Sequence, residues 1–405
     1  MLSTGNGLLY NPFSPAFRAD PYPAYRRLRT DDPVHRSPLG FWVISRYADV
    51  AKLQADPGLD FYSPVMYGRI RDAMTDPDSP TARVGRWLLF TDRREHRRFR
   101  GLLNKFFTPA AVARAAEVIE ASVTDLLDQL PVGEPVDLMA RLARPLPMNI
   151  LCDWLGIPRQ DREQCRSWAA SIGRVLVSVL NPEVIRRMGS AVLACDSYFR
   201  EQVAERRRAP RADLLSSLLE AEYGHEPISD DEVVADLILI LGASSETTVN
   251  MLGMAVWSLL RNPDQLAVLR ADPSVTRNAV DELLRYESPA QLAGRFTPRD
   301  LDVSGSMVPA GSRLTLLIGS ANRDPERFAD PDRLDLRRAD PRPLSFGLGA
   351  HHCIGAWLAR LEVEIALRML LDRFGQIRLV DEPLQWRGDS VALRAPVGLP
   401  VELTR

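Results

Sequence analysis

The stretch FGLGAHHCIG, residues 346–355, holds one of the chain's four cysteines, two of its five histidines and three glycines. Phe346, Gly349, His351, Cys353 and Gly355 fit the pattern F-x-x-G-x-[HR]-x-C-x-G. Glycines let a loop turn tightly and bring backbone close to a bound group. The residues after Gly355, AWLARLEVEIALRMLLDRF, read as an amphipathic helix. Cys353 therefore stands just before a helix N-terminus, where free N–H groups and the macrodipole favour a thiolate. A thiolate is the form that ligates iron. A lone cysteine is more often a small buried hydrophobe, so it is the full spaced motif that points to a loop gripping a ligand. A zinc reading of His351 and Cys353 lacks further ligands at supporting spacing.

Working outward, the 405 residues are 45% hydrophobic and 26% charged, ordinary for a soluble globular protein with a large core. A net charge of −2 gives no global field that would select nucleic acid or an acidic membrane surface. Almost every basic residue is arginine; the lysines are Lys52 and Lys105. Cys152, Cys165 and Cys195 show no C-x-x-C spacing and read as small buried hydrophobes, which suits a reducing cytoplasm. The opening residues MLSTGNGLLYNPFSPAFRADPYP lack a basic region and a long apolar run, so neither a signal peptide nor a membrane anchor is expected.

FWVISRY (41–47) and RLTLLIGSA (313–321) alternate like strands, and LPVEL (399–403) returns to strand character. Residues 110–260 read as almost wholly helical. The expected class is mainly α with a minor β region built from both ends of the chain. One large domain is favoured, because the strands are split by the helical block and must pair across it. One helix is strongly marked. Ser229 and Glu232 form an S-x-x-E capping box, and Ile228 and Val233 are placed as a hydrophobic staple. The run that follows reaches Pro263 without a proline, about thirty residues or roughly 45 Å. It is apolar nearly all round and should cross the core, yet its centre reads GASSETT. A carboxylate and several hydroxyls at mid-length of a buried helix are costly without a function. The alternative is a polar stripe facing a cavity or another helix.

With these features together, the sequence resembles a cytochrome P450 of the soluble bacterial kind over nearly its whole length. The resemblance implies a single P450 domain over 1–405, with a small β-rich part from about 35–60, 290–325 and 380–405. It also implies a triangular prism with a long central helix over haem. Cys353 would be the axial ligand of the haem iron, in haem b. Glu246 and Thr247 match the family's acid–alcohol pair and would be catalytic. His96 and Arg100 match an H-x-x-x-R whose members reach a haem propionate; Arg295 and His351 fall at further propionate-binding positions. Arg and His form charge-assisted hydrogen bonds with such carboxylates. Phe346, Gly347, Gly355 and Ala243 complete the implied haem contacts. Glu282 and Arg285 match E-x-x-R, which elsewhere is a minor surface pair but here resembles the buried pair that anchors the meander before the cysteine loop. Two departures stand out: Ser244 replaces a usual glycine near the oxygen site, and Pro343 replaces a frequent histidine.

The implied reaction inserts one atom of O2 into a small, largely apolar substrate, by hydroxylation or epoxidation, in bacterial secondary metabolism. Thr247 would hold the bound oxygen or its water, and Glu246 would relay protons. No flavin or nicotinamide domain follows the cysteine helix, so electrons are expected from NAD(P)H through a separate ferredoxin and ferredoxin reductase. Arg97, Arg98, Lys105 and Arg342 would form a basic docking patch; scattered solvated arginines are the plainer reading. By family position, substrate would meet Phe61, Tyr62, Met66 and Tyr67 from the 60–88 loop. Leu176, Val177 and Leu180 would roof the pocket, and Leu239, Ala243 and Thr247 would line it from the central helix. Gln291, Leu292, Ala293 and Leu393 complete the set. Apolar residues at such spacings are as often plain core. The chain is expected to be a cytoplasmic monomer with no nucleic-acid or membrane partner. Rival readings are a peroxygenase or oxidative-coupling enzyme of the same fold, and a haem-binding sensor.

Overall fold

Trp42, Val43 and Ile44 pair in parallel with Leu314, Thr315 and Leu316, so strands on either side of the helical block do meet. A computed structural model of the chain describes residues 10–60, 76, 78–91, 93–177, 182–223, 226–380 and 384–405. The helices used below are, in chain order, α1 (Tyr22–Asp31), α2 (Tyr47–Ala55), α3 (Pro80–Gly85), α4 (Arg93–Asn104), α5 (Ala116–Leu127), α6 (Pro145–Leu155), α7 (Arg162–Val177), α8 (Pro182–Arg208), α9 (Asp230–Arg261), α10 (Thr276–Tyr286) and α11 (Ala356–Arg373). The strands are β1 (Val34–Arg36), β2 (Trp42–Ile44), β3 (Pro135–Asp137), β4 (Leu292–Phe296), β5 (Arg313–Leu317), β6 (Gln376–Leu379) and β7 (Pro400–Thr404).

The chain divides into two compact units. The first comprises Met1–Ser63, Trp257–Cys353 and Pro383–Val397. Its sheet has the order β1-β2-β5-β4, with only the β2–β5 pair parallel. A parallel pair needs a long crossover connection, and here the intervening helices supply it. Ile44, Val50, Leu53, Leu314, Leu316 and Ile318 form the core between this sheet and α2. Burial of such side chains contributes roughly 1.5–3 kcal/mol each. A second cluster sets Tyr10, Tyr22, Tyr25 and Leu28 against Val43 and Leu317. Glu287 holds α1 and the 383–397 segment together. It accepts from Tyr22 Oη at 2.8 Å and Arg394 Nη1 at 2.7 Å, and pairs with Arg323 at 3.2 Å.

The second unit comprises Pro64–Val256, Ile354–Glu382 and Gly398–Arg405. Here α5 packs on α11, and α7 and α8 pack side by side. Its sheet has the order β6-β7-β3, all antiparallel. The C-terminal strand therefore joins 135–137 and 376–379, not the β1–β2 sheet near the N-terminus. The alternation that marks a strand carries no information about its partner. An ion network ties α3 to α8 and α9: Arg83–Asp196 at 3.3 Å, Arg200–Asp196 and Arg200–Asp231 at 2.7 Å, and Arg86–Asp231 at 3.2 Å.

Helix α9 begins where the capping box places it. The Ser229 N–H donates to Glu232 Oε2 at 2.8 Å, and the Glu232 N–H donates to Ser229 Oγ at 3.3 Å. Ile228 and Val233 are both buried. Among the described residues, α9 is long and apolar enough to cross a membrane, but its apolar window is 76% buried inside the protein, as in a core helix.

Candidate active site

In the first unit, the cysteine loop is built on α10. Glu282 and Arg285 lie one turn apart on that helix and are both fully buried. Arg285 Nη1 donates to the carbonyls of Asn322 and Pro331 at 3.0 and 2.7 Å, and Nη2 to that of Arg333 at 3.0 Å. Asn322 passes the support on. Its Oδ1 accepts the Leu344 N–H at 2.8 Å and its Nδ2 donates to Ser345 Oγ at 3.0 Å. The next carbonyl, Phe346 O, accepts the Cys353 N–H at 2.8 Å and closes the loop. Gly347 (φ +71°) and Gly349 (φ +72°) lie in the left-handed region, and a Cβ on Gly349 would meet the Ala55 backbone at 3.0 Å. Gly355 has φ −81°, a conformation open to any residue. The loop holds Cys353 exposed, and the other three cysteines are buried. His351 and Phe346 are half-buried in the same loop.

Arg295 lies on β4, buried, with Nη1 donating to Gly294 O at 2.8 Å and Nη2 to Gln54 O at 3.4 Å. Burial pushes its pKa down to about 10. Leu292 and Ala293 are half-buried on the same strand, while Leu393 is buried and bridges to Ala290. Gln291 is buried with its amide committed internally: it accepts from Tyr25 Oη at 2.9 Å and donates to Ser288 O at 2.6 Å. Gln291 and Leu393 line a cleft with Phe17, Tyr25 and Arg394.

In the second unit, α9 is buried along most of its length but opens at its centre. Ala243 and Thr247 are exposed, and Ser244 and Glu246 half-buried. Thr247 Oγ1 donates back to Ala243 O at 3.2 Å and Ser244 Oγ to Leu241 O at 3.4 Å, the local back-bonding expected of hydroxyls within a helix. Helix α7 crosses α9 here through two glycines. A Cβ on Gly242 would lie 2.4 Å from Ile172 Cγ2; one on Gly173 would lie 2.8 Å from Gly242 O and 3.9 Å from Glu246 Cγ. The crossing puts α7 over the turn that carries Glu246. Leu176 and Val177 follow within α7, where the backbone alone is described; Leu239 is buried in α9. Phe61, Tyr62, Met66, Tyr67 and Leu180 lie outside the described residues.

His96 is buried on α4, and Arg100 is half-buried one turn on. Burial, and then the Arg100 charge, hold the His96 imidazole below its ordinary pKa. Arg97 and Lys105 are exposed. Arg98 is not: it is half-buried and ion-paired with Glu232 and Glu95, which removes it from the expected basic patch. Sequence reasoning missed Asp236 and Asn250, both buried on α9. A lone acid in VVADLIL and a lone amide in TTVNML were the available signals.

Within the first unit, Cys353 and Arg295 have the chemistry that a haem calls for. The loop offers an exposed thiol at a helix N-terminus. Burial disfavours the charged forms of His96 and Arg295; a propionate beside either would restore the charge.

A cytochrome P450 family model matches residues 174–396. Cytochrome P450 107B1 of Saccharopolyspora erythraea is 40% identical over 401 residues, covering 96% of each chain. The 6-deoxyerythronolide B hydroxylase of the same organism is 32% identical, covering 96% of this chain and 98% of the relative. The crystal structure of P450BioI in complex with hexadec-9Z-enoic acid ligated acyl carrier protein is similar at a TM-score of 0.88 and 32% identity, covering 96% of this chain and 99% of that one. The fold and these relatives define a haem-thiolate monooxygenase that uses haem iron, O2, redox partners and a small substrate. The chain belongs to the cytochrome P450 family.

Proposed function

We propose that Cys353 is the axial ligand of a haem b and that the enzyme oxygenates a largely apolar aliphatic skeleton of bacterial secondary metabolism. The loop that presents an exposed Cys353 thiol at the start of α11 carries this reading. The hydroxylase relative, named for 6-deoxyerythronolide B, supports the substrate class. When bound, the haem iron supplies the activation of O2 with two electrons delivered from outside.

The chain's own residues do the rest. His96, Arg100, Arg295 and His351 hold the two propionates, and the buried donors fix the ring's orientation. Phe346, Gly347 and Gly355 shape the loop against the sulfur, and Ala243 faces the ring from α9. Thr247 presents Oγ1 from the exposed turn of α9 and holds the oxygen or its water by a hydrogen bond. Glu246, half-buried beneath Gly173, moves protons to that hydroxyl. The extra hydroxyl of Ser244 is turned back onto Leu241 O, so it does not occupy the position beside Thr247. Leu239, Leu292, Ala293 and Leu393 line the substrate space. Gln291 braces β4 from behind.

Electrons come from NAD(P)H through a ferredoxin reductase and a ferredoxin, which meets the exposed cations Arg97, Lys105 and Arg342. The whole chain forms a single P450 domain and works as a cytoplasmic monomer. A library screen for the low- to high-spin shift that follows displacement of iron-bound water tests the substrate class. A shift with macrolide-type skeletons, followed by one-oxygen products, supports it. Shifts restricted to polar or aromatic acids would overturn it. Peroxide-driven turnover, or bond formation without oxygen insertion, would move the enzyme to the peroxygenase or coupling class.

A further inference from the structure

Asn250 is 1% exposed, and its Nδ2 meets no hydrogen-bond partner among the described residues. A buried amide donor left unmet is unfavourable by about the strength of the bond it forgoes, and asparagine is a poor helix former at an interior position. Replacement by leucine would relieve both, so the position is not explained by stability. Its place on α9 explains it. Gly242, Glu246 and Asn250 succeed one another at one-turn spacing. Gly242 is where α7 crosses; Glu246 follows, half-buried with its Cγ near Gly173. Side chains four apart on a helix have their Cβ atoms roughly 5–6 Å apart, and helical side chains lean toward the N-terminus. The Asn250 amide therefore hangs over the turn that carries Glu246 and, beside it, the exposed Thr247.

We propose that Asn250 is a positioning residue: its Nδ2–H holds the Glu246 carboxylate through one water, in the orientation from which it delivers protons to Thr247. This rests on the assignment of Glu246 and Thr247 above. The donor favours the charged carboxylate and restricts its rotamers, so the acid stays between the helix crossing and the open face of α9. Glycine at 242 and 173 leaves the room for that acid; asparagine at 250 fixes where it points.

The test compares the wild-type holoenzyme with Asn250→Leu, Glu246→Gln and the double variant. The first readout needs no turnover: the carboxyl titration of Glu246 in the resting protein, followed by carbon-13 NMR and assigned through Glu246→Gln. Loss of a donor to the charged form raises that pKa in Asn250→Leu. The second is coupling, the product formed per NAD(P)H consumed, with the library compound that gives the largest spin shift. Asn250→Leu lowers coupling by about threefold or more, releases peroxide and leaves the spin-shift affinity unchanged. In the Glu246→Gln background the same change has no further effect. An unmoved Glu246 titration, or an equal loss of coupling in both backgrounds, would overturn the proposal. If Asn250→Leu does not fold, Asn250→Ala and Asn250→Ser carry the comparison: serine, which keeps a donor, retains coupling that alanine loses, and equal behaviour of the two overturns the proposal. Failure of the wild type itself to give oxygenated product would count against the assigned function, not against Asn250.

Discussion

Arg285 grips Glu282 through two hydrogen bonds, Nε to Oε2 at 2.7 Å and Nη2 to Oε1 at 2.8 Å, with both side chains fully buried. Glu282 also accepts the Asp335 N–H at 2.9 Å and the Arg338 Nε at 3.1 Å. The pair thus joins α10 to residues 322–338 and, through Asn322, to the cysteine loop. An isolated i,i+3 pair on a helix surface is worth about 0.2–0.5 kcal/mol. Burial and saturation of every polar atom change its standing, because removing one partner strands a charge.

Arg285→Leu and Glu282→Leu should each destabilise the first unit by about 3–5 kcal/mol. The variants are expected to unfold at lower denaturant concentration and to retain little haem. A variant with an unchanged midpoint and full haem content would remove the pair from its anchoring role.

Asp236 gives a pH dependence of known sign. Burial raises its carboxyl from 3.8 to about 7; the hydrogen bond from the Leu88 backbone opposes the shift, and Glu232 adds to it. The folded state therefore holds this proton more tightly than the unfolded state. The stability it contributes is full below about pH 4 and is lost as pH rises through about 7, with a slope of up to about 1.4 kcal/mol per pH unit. Asp236→Asn keeps an acceptor for Leu88 and should flatten the fall in melting temperature between pH 5 and 8. An equal fall in both proteins would contradict this.

The crossing of α7 and α9 leaves no room for a methyl group. Gly173→Ala places a carbon against the Gly242 carbonyl, which is backbone and yields only if the helices part. The expected loss is about 1–3 kcal/mol, together with a weakened spin-shift response, since α7 covers the Glu246 turn. Wild-type stability and spin shift in Gly173→Ala would show that the helices separate freely.

Arg295→Leu should fold and should release haem several-fold faster than wild type, as followed by transfer of haem to an excess acceptor protein. Burial disfavours the Arg295 charge, and a haem propionate beside it would favour that charge again. Unaltered haem release would take Arg295 out of the propionate set.

Much of this was legible in the sequence, and the boundary is physical. The Ser229–Glu232 cap and the tight glycine turns of residues 346–355 are local patterns in which spacing encodes geometry, whereas the burial of the Glu282–Arg285 pair was implied by the family resemblance and not by its spacing. The partner of the 400–404 strand is a long-range choice, and alternation is silent about it. Arg98 looked like its exposed neighbour Arg97, but one helical position turns it toward Glu232. Gly173 and Gly242 announce a close approach only when both are seen to meet. Asp236 and Asn250 stood as isolated polar residues in an apolar helix, and only their burial reveals what they demand of their surroundings.

The most direct test of the account is the carbon monoxide difference spectrum of the reduced holoenzyme, taken for wild type and Cys353→Ser. Ligation by Cys353 predicts the long-wavelength Soret band of a thiolate-ligated haem in the wild type and its loss in Cys353→Ser. The same band persisting without the Cys353 sulfur would contradict it.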